Sequence, residues 1–317
     1  MIITVVMCTR NRAEQLRLVL DSAVALRVPE SLAWEFVLVD NGSTDHTAEV
    51  AASYVDRLPL RCVREHNPGL SNARNRGVAE AKGDYICWTD DDVIIDPNWV
   101  AAYAEAFIRH PEAAFFGGVI EPVLEGETPN WFKENPVTLS HLLAERDFGE
   151  VVLPLSPSEQ RMPYGANYAV RTKEQRTHPY DPSLGVGPGM KRLGEETDVL
   201  HSIFDEGGAG FWVPGARVRH IIPESRQTEE YVRTYHRSAG DTWAHLGGRY
   251  SRSEPEVLVG GKVLFGAPVW IWRKTFTHTL LYIGTRLVAP SNVWLHHSSK
   301  AAFYSGALGY LRRSKNS

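Results

Sequence analysis

The run Trp88-Thr89-Asp90-Asp91-Asp92-Val93 sets three carboxylates at the end of an apolar stretch. Adjacent acids repel one another, so this ending costs stability unless a cation or solvent compensates. Hard oxygen ligands there suit Mg²⁺ or Mn²⁺ bridging a diphosphate, since such ions are held by one or two carboxylates together with phosphate oxygens. The plain alternative is a solvated turn with a helix cap. A second group, Asp40-Asn41-Gly42-Ser43-Thr44-Asp45, reads either as a turn into a helix capped by Ser43 or Thr44, or as a place where Asp40 accepts a hydrogen bond from a nucleobase or ribose. Cys8-Thr9-Arg10-Asn11-Arg12 and Asn67 to Gly77 bring four arginines, Arg10, Arg12, Arg74 and Arg76, to two loop ends. Guanidinium groups offer planar, bidentate donors for phosphate, and cations at helix N-termini oppose the macrodipole unless an anion is near. Glu195, Glu196 and Asp198 form a third acidic group. It is either a negative helix start favoured by the dipole or the setting for a carboxylate that deprotonates a sugar hydroxyl. His220, closing an apolar alternation, is a structural histidine or a ligand; Gly165-Ala166-Asn167 reads as a tight turn.

These groups need a scaffold that presents them together. Ile2 to Met7 and Phe36 to Val39 are continuous apolar, β-branched segments, the pattern of strands buried on both faces. Between them Leu16, Val19, Leu20, Ala23 and Val24 recur at helical spacing. Further helices are expected from Thr44 to about Asp56, from Ser71 to Ala81 and from Trp99 to His110, with strands at Tyr85–Thr89 and Ala114–Ile120 and a loop region through about Pro163. Alternating strands and helices imply a mostly parallel α/β sheet flanked by helices, which binds ligands at the carboxyl ends of its strands. The polar clusters fall at those ends.

At 317 residues and 43% apolar content the chain can build a large core, which excludes wholesale disorder and a polytopic membrane protein. Cys8, Cys62 and Cys87 lack metal-type spacing, so neither a zinc site nor a disulfide framework is expected, and a reducing, cytoplasmic setting follows. The net charge of −4 hides an asymmetry: residues from Arg249 onward carry +8, leaving −12 on the first 248. Two regions are therefore expected, 1–225 and a basic, aromatic, helical 226–317. Trp270, Trp272 and Tyr282 beside Arg273 and Lys274 suit a helix lying on an anionic membrane surface, or helices that pack on the rest of the chain or form a homodimer. Acidity in front and apolar-aromatic character behind disfavour nucleic acid.

Taken in order, Thr9-Arg10-Asn11-Arg12, Val39 to Asp45, Asn72 to Gly77, Asp90-Asp91-Asp92, Gly165-Ala166-Asn167, Gly194 to Asp198 and Val218-Arg219-His220 resemble family 2 glycosyltransferases with the Rossmann-like GT-A fold. The resemblance covers residues 1–225 and implies an inverting transfer of a sugar from a nucleotide-diphosphate sugar to an acceptor hydroxyl, with a glycan or lipid-linked acceptor of the cell envelope. It implies Thr9, Arg10, Arg12, Asp40, Asn41, Arg74, Asp90 and Asp91 on the donor nucleotide, and Gly165, Ala166 and Asn167 on the acceptor side. Asp92, with Asp90 and His220, would hold Mg²⁺ or Mn²⁺. Relatives carry Glu-Asp where this chain has Glu195-Glu196, which makes Glu196 the base, with Glu195 and Asp198 as alternates. An enzyme of this kind would sit at the inner face of the cell membrane. Two rivals remain: a sugar-phosphate nucleotidyltransferase, disfavoured because Cys8 to Arg12 holds no glycine, and a non-catalytic membrane-associated scaffold.

Overall fold

The computed structural model describes residues 1–188, 190–247 and 262–314. Arg249, Arg252, Glu254, Glu256 and Lys315 of the charged tail lie outside them. Strands β1 (Ile2–Thr9), β2 (Ala33–Asp40), β3 (Leu60–Arg64), β4 (Tyr85–Asp90), β5 (Val93–Ile95), β6 (Phe115–Leu124), β7 (Asn167–Arg171) and β8 (Gly210–Ile222) form one sheet in the order β3-β2-β1-β4-β7-β6-β8-β5. The β3-β2-β1-β4 half is parallel, whereas β7 runs antiparallel to β4 and to β6.

Side chains alternate between two cores, as a strand covered on both faces requires. Ile3, Val5 and Met7 enter one core with Phe36, Leu38 and Cys87; Val6, Val37, Val39, Ile86 and Trp88 enter the other. Helix α1 (Ala13–Val24) buries Leu16, Val19, Leu20 and Ala23 against the first core, following its apolar stripe. Helix α2 is shorter than expected, Thr47–Ala52. Neither Ser43 nor Thr44 caps it; Asp45 accepts the Thr47 N–H, while Ser43 Oγ accepts from Asn11 and the Thr44 N–H donates to Asn11 Oδ1. Helices α3 (Leu70–Glu80) and α4 (Trp99–Arg109) follow the apolar spacing closely.

The region expected to be loop through Pro163 contains α5 (Asn130–Lys133) and α6 (Pro136–Leu143). Later come α7 (Thr172–Thr177), α8 (Glu195–Asp205), α9 (Glu229–His245), α10 (Val269–Thr285) and α11 (Ser291–Ser314). The chain divides into two compact units. The first holds 1–123, 144–190 and 194–221; the second holds 124–143, 191–193 and 222–317. The second begins near the composition change at 225 but also takes α5 and α6, because Phe132, Leu139 and Leu142 share a core with Val232, Trp294 and Leu295. In this unit α9 and α11 approach so closely that a side chain at Gly240 or Gly306 would strike the facing backbone.

Candidate active site

Register explains why the polar clusters meet. In the parallel half Thr9 pairs with Asp40 and Cys8 with Asp90, so β1, β2 and β4 end on one edge. The antiparallel β8–β5 pair sets His220 opposite Val93, beside the triplet. Helix α8 opens on Glu195, Glu196 and Asp198, where the dipole favours acids.

Each carboxylate of the triplet is held differently. Asp91 is buried, accepting the Thr9 hydroxyl at 2.7 Å and Arg12 Nη1 at 2.7 Å. Burial, partly offset by Arg12, pushes its carboxyl up to about 6. Asp92 accepts from Arg12 through Oδ2 at 2.9 Å, while its Oδ1 lies 3.6 Å from His220 Nε2. Asp90 faces Arg74, with Oδ1 3.5 Å from Nη2, and burial raises its pKa against the pull of that guanidinium.

Arg74 is the centre of the arrangement. Only 3% of its side chain is exposed, so its charge requires partners. Glu195 Oε1 lies 3.3 Å and Glu196 Oε2 4.0 Å from Nη1. The guanidinium also lies 5.6–5.8 Å from the rings of Trp88, Tyr168 and Tyr180, an electrostatic attraction worth up to about 2 kcal/mol when desolvated. Arg74 Nη1 donates to the Tyr168 hydroxyl at 3.3 Å, the Tyr168 and Tyr180 hydroxyls are 2.5 Å apart, and Tyr180 donates to Gln175 Oε1, which also accepts from the Trp88 indole. Burial disfavours the charged guanidinium, but the acids and tyrosine oxygens outweigh it and raise its pKa. Trp88 and Tyr168 face one another across β4 and β7, a relationship absent from any local motif.

The acidic pair is asymmetric. Glu195 is 5% exposed, and burial, reinforced by the charge of Glu196, pushes it up to about 7 despite Arg74. Glu196 is the more open of the two, with 14% of its side chain exposed. Gly165 backs this group closely: a Cβ there would stand 2.9 Å from Arg74 Nη2 and 3.4 Å from Glu196 Cδ. Asp198 lies half-buried on the same first turn of α8.

Several of the other expected site residues make contacts within the scaffold. Ala166 belongs to the first core, and Asn167, expected on the acceptor side, is fully buried. Its Oδ1 accepts from the Trp99 indole and the Tyr103 hydroxyl, and its Nδ2 donates to the carbonyls of Val119 and Ala216, which uses the amide's capacity inside the sheet. Asn41 accepts the Gly69 N–H and donates to the Asn67 carbonyl, pinning the loop before α3. Asp40 accepts the Ser43 N–H at 2.8 Å, and Arg10 is exposed. Arg76 pairs with Glu80 along α3.

Asp92 and His220 offer one carboxylate oxygen and one imidazole nitrogen 3.6 Å apart at the site's edge, a donor set that fits a hard to borderline divalent ion.

Residues 4–156 match Glycosyl transferase family 2. The chain is 24% identical over 241 residues to the succinoglycan biosynthesis protein ExoM of Rhizobium meliloti, a match covering 75% of this chain and 73% of that protein. It is 30% identical over 103 residues to a poly-β-1,6-N-acetyl-D-glucosamine synthase of Staphylococcus epidermidis, covering 32% of this chain and 24% of the synthase. Among solved structures, a mannosyltransferase of Pyrobaculum calidifontis bound to GDP-Man and Mn²⁺ matches with a TM-score of 0.60 at 16% identity, over 98% of this chain and 86% of that one. S. aureus TarS 1-349 in complex with UDP matches at 0.56 and 16% identity, over 99% and 92%. With its parallel strands, acidic strand end and acidic helix start, the chain carries the GT-A fold, and residues 4–156 are similar to glycosyl transferase family 2.

Proposed function

We propose that this glycosyltransferase moves a sugar from a nucleotide-diphosphate donor to an acceptor hydroxyl by a single inverting displacement, with Glu196 as general base. The observation that carries the reading is the convergence on Arg74 of Asp90 and the Glu195-Glu196 pair, about a hundred residues apart in the chain. Glu196, the more open acid, takes the acceptor proton; Glu195, deeply buried, keeps Arg74 in place. The Asp40 carboxylate at the end of β2 accepts from the nucleoside, and exposed Arg10 meets the diphosphate from solvent. Asp92 and His220 hold Mn²⁺ or Mg²⁺, which when bound neutralises charge on the departing diphosphate. In the Asp92→Ala variant, calorimetry is expected to show that Mn²⁺-dependent binding of uridine or guanosine diphosphate disappears; undiminished binding rejects the ligand assignment.

A glycan or lipid-linked acceptor in polysaccharide synthesis is in keeping with ExoM and the poly-β-1,6-N-acetyl-D-glucosamine synthase. No described helix is long and apolar enough to cross a membrane. Phe276, Leu280, Ile283 and Leu287 nevertheless form an exposed apolar stripe on and just beyond α10, with Arg273, Lys274 and Arg286 nearby in sequence. This supports peripheral attachment to anionic lipid at the inner face of the membrane, ahead of a homodimer contact.

A further inference from the structure

Helix α10 fully buries one residue, Ile271. Ile271, His278 and Tyr282 lie on one face at helical spacing; Ile271 and Tyr282 pack into the cores that α11 helps to build. At the level of His278, α11 presents two consecutive histidines, His296 and His297. His278 Nδ1 is 3.1 Å from His297 Nδ1, and the three ring centroids are 5.2–5.9 Å apart. One nitrogen from each ring lies within 4.8 Å of the other two. His278 also stacks on Tyr304, with ring centroids 5.9 Å apart.

Three imidazoles this close cannot all be protonated. Burial first, then the charges of His297, His296, Lys274 and Lys300, lowers His278 to about 4, and burial likewise lowers His296. In its unprotonated form each ring presents one nitrogen lone pair to a ligand. Zinc–nitrogen bonds of about 2.0–2.1 Å in tetrahedral geometry place two ligating nitrogens roughly 3.3 Å apart, close to the separation of His278 and His297. Neutral imidazole donors select zinc, cobalt, nickel or copper over magnesium and manganese.

We propose that His278, His296 and His297 form a second metal site, chemically distinct from the carboxylate-based one, which binds Zn²⁺ or a similar borderline ion through three imidazole nitrogens and one exogenous ligand. The ion clamps α10 to α11 and holds the helix that bears the exposed apolar stripe. Lys274 and Lys300 oppose the cation and favour an anion, hydroxide or chloride, in the fourth position. The site stands independently of the donor-site reading.

The test is titration of the full-length protein with Co²⁺ in excess Mg²⁺, which keeps oxygen-donor sites filled. One equivalent of Co²⁺ is expected to produce the strong visible absorption of four-coordinate cobalt, and one equivalent of Zn²⁺ to abolish it. His296→Ala changes an exposed ring and leaves the fold intact; it is expected to weaken binding by more than the roughly 10–100-fold lost when only a second-shell partner is removed. His278→Gln should lose the band as well, whereas His66→Gln, exposed on another segment, should keep it. A weak six-coordinate spectrum in the wild type, or a band unchanged in His296→Ala, overturns the proposal.

Discussion

Arg74 in the sheet unit and His278 in the helical unit answer burial in opposite ways. In the first, Arg74 is almost wholly desolvated and keeps its charge because Asp90, Glu195 and Glu196 surround it. In the second, burial drives His236 and His278 down to about 4, so they persist as neutral rings. Desolvation is met in one place by opposite charge at set distances and in the other by loss of charge. The first solution leaves a charged guanidinium among carboxylates at fixed distances. The second leaves lone pairs suited to a ligand, on a helix whose other face is apolar.

The comparison is broken most sharply at the acidic pair. Glu196→Gln should reduce turnover by about 10²–10⁴ while donor affinity stays near wild type, as expected for loss of a general base. An equal loss of donor affinity would move Glu196 into the donor pocket and leave the base unassigned.

Removing the charge at the centre comes next. Arg74→Met should destabilise the protein by about 3–5 kcal/mol in denaturant titrations, because buried carboxylates lose their counter-charge. A loss below about 1 kcal/mol would mean that the acids are neutral without it.

Stability against pH sharpens the point further. The folded pKa of Glu195, about 7, lies above its ordinary 4.5, so the protonated form is the one the fold favours. Its contribution is fully present below pH 4.5 and is lost as pH rises through 7. Chemical denaturation should show the wild type losing stability across that window relative to Glu195→Gln; parallel curves would show that Arg74 holds Glu195 ionised throughout.

The smallest effect belongs to the helical unit. Ile283→Glu removes one exposed apolar side chain, worth roughly 1.5–3 kcal/mol if fully buried in lipid, and should lower flotation with anionic vesicles by about tenfold. Unchanged flotation would point to a contact with a second copy of the chain.

Much of the frame was legible before any coordinates. Ile2 to Met7 and Phe36 to Val39 read as doubly buried strands, the Leu16-Val19-Leu20-Ala23 spacing as a helix face, and the triple aspartate as a strand end, because each depends on the period of its own element. The unexpected α5 and α6 carry apolar residues whose partners are more than eighty residues away in sequence, so no local pattern announces them. Gly165-Ala166-Asn167 shows the same limit within three residues: the motif is local, but its work is divided between a close approach to Arg74 and an amide consumed inside the sheet.

The chain by itself determined which segments would be strands and helices, and which polar groups would stand at their ends, since backbone period and solvent preference act over a few residues. Only the tertiary structure decided that Arg74 would join two acidic groups a hundred residues apart, that Tyr168 and Tyr180 would enclose it, and that His278 would meet His296 and His297. Those meetings depend on strand register and helix packing, where a shift of one residue replaces every neighbour while leaving the local pattern unchanged.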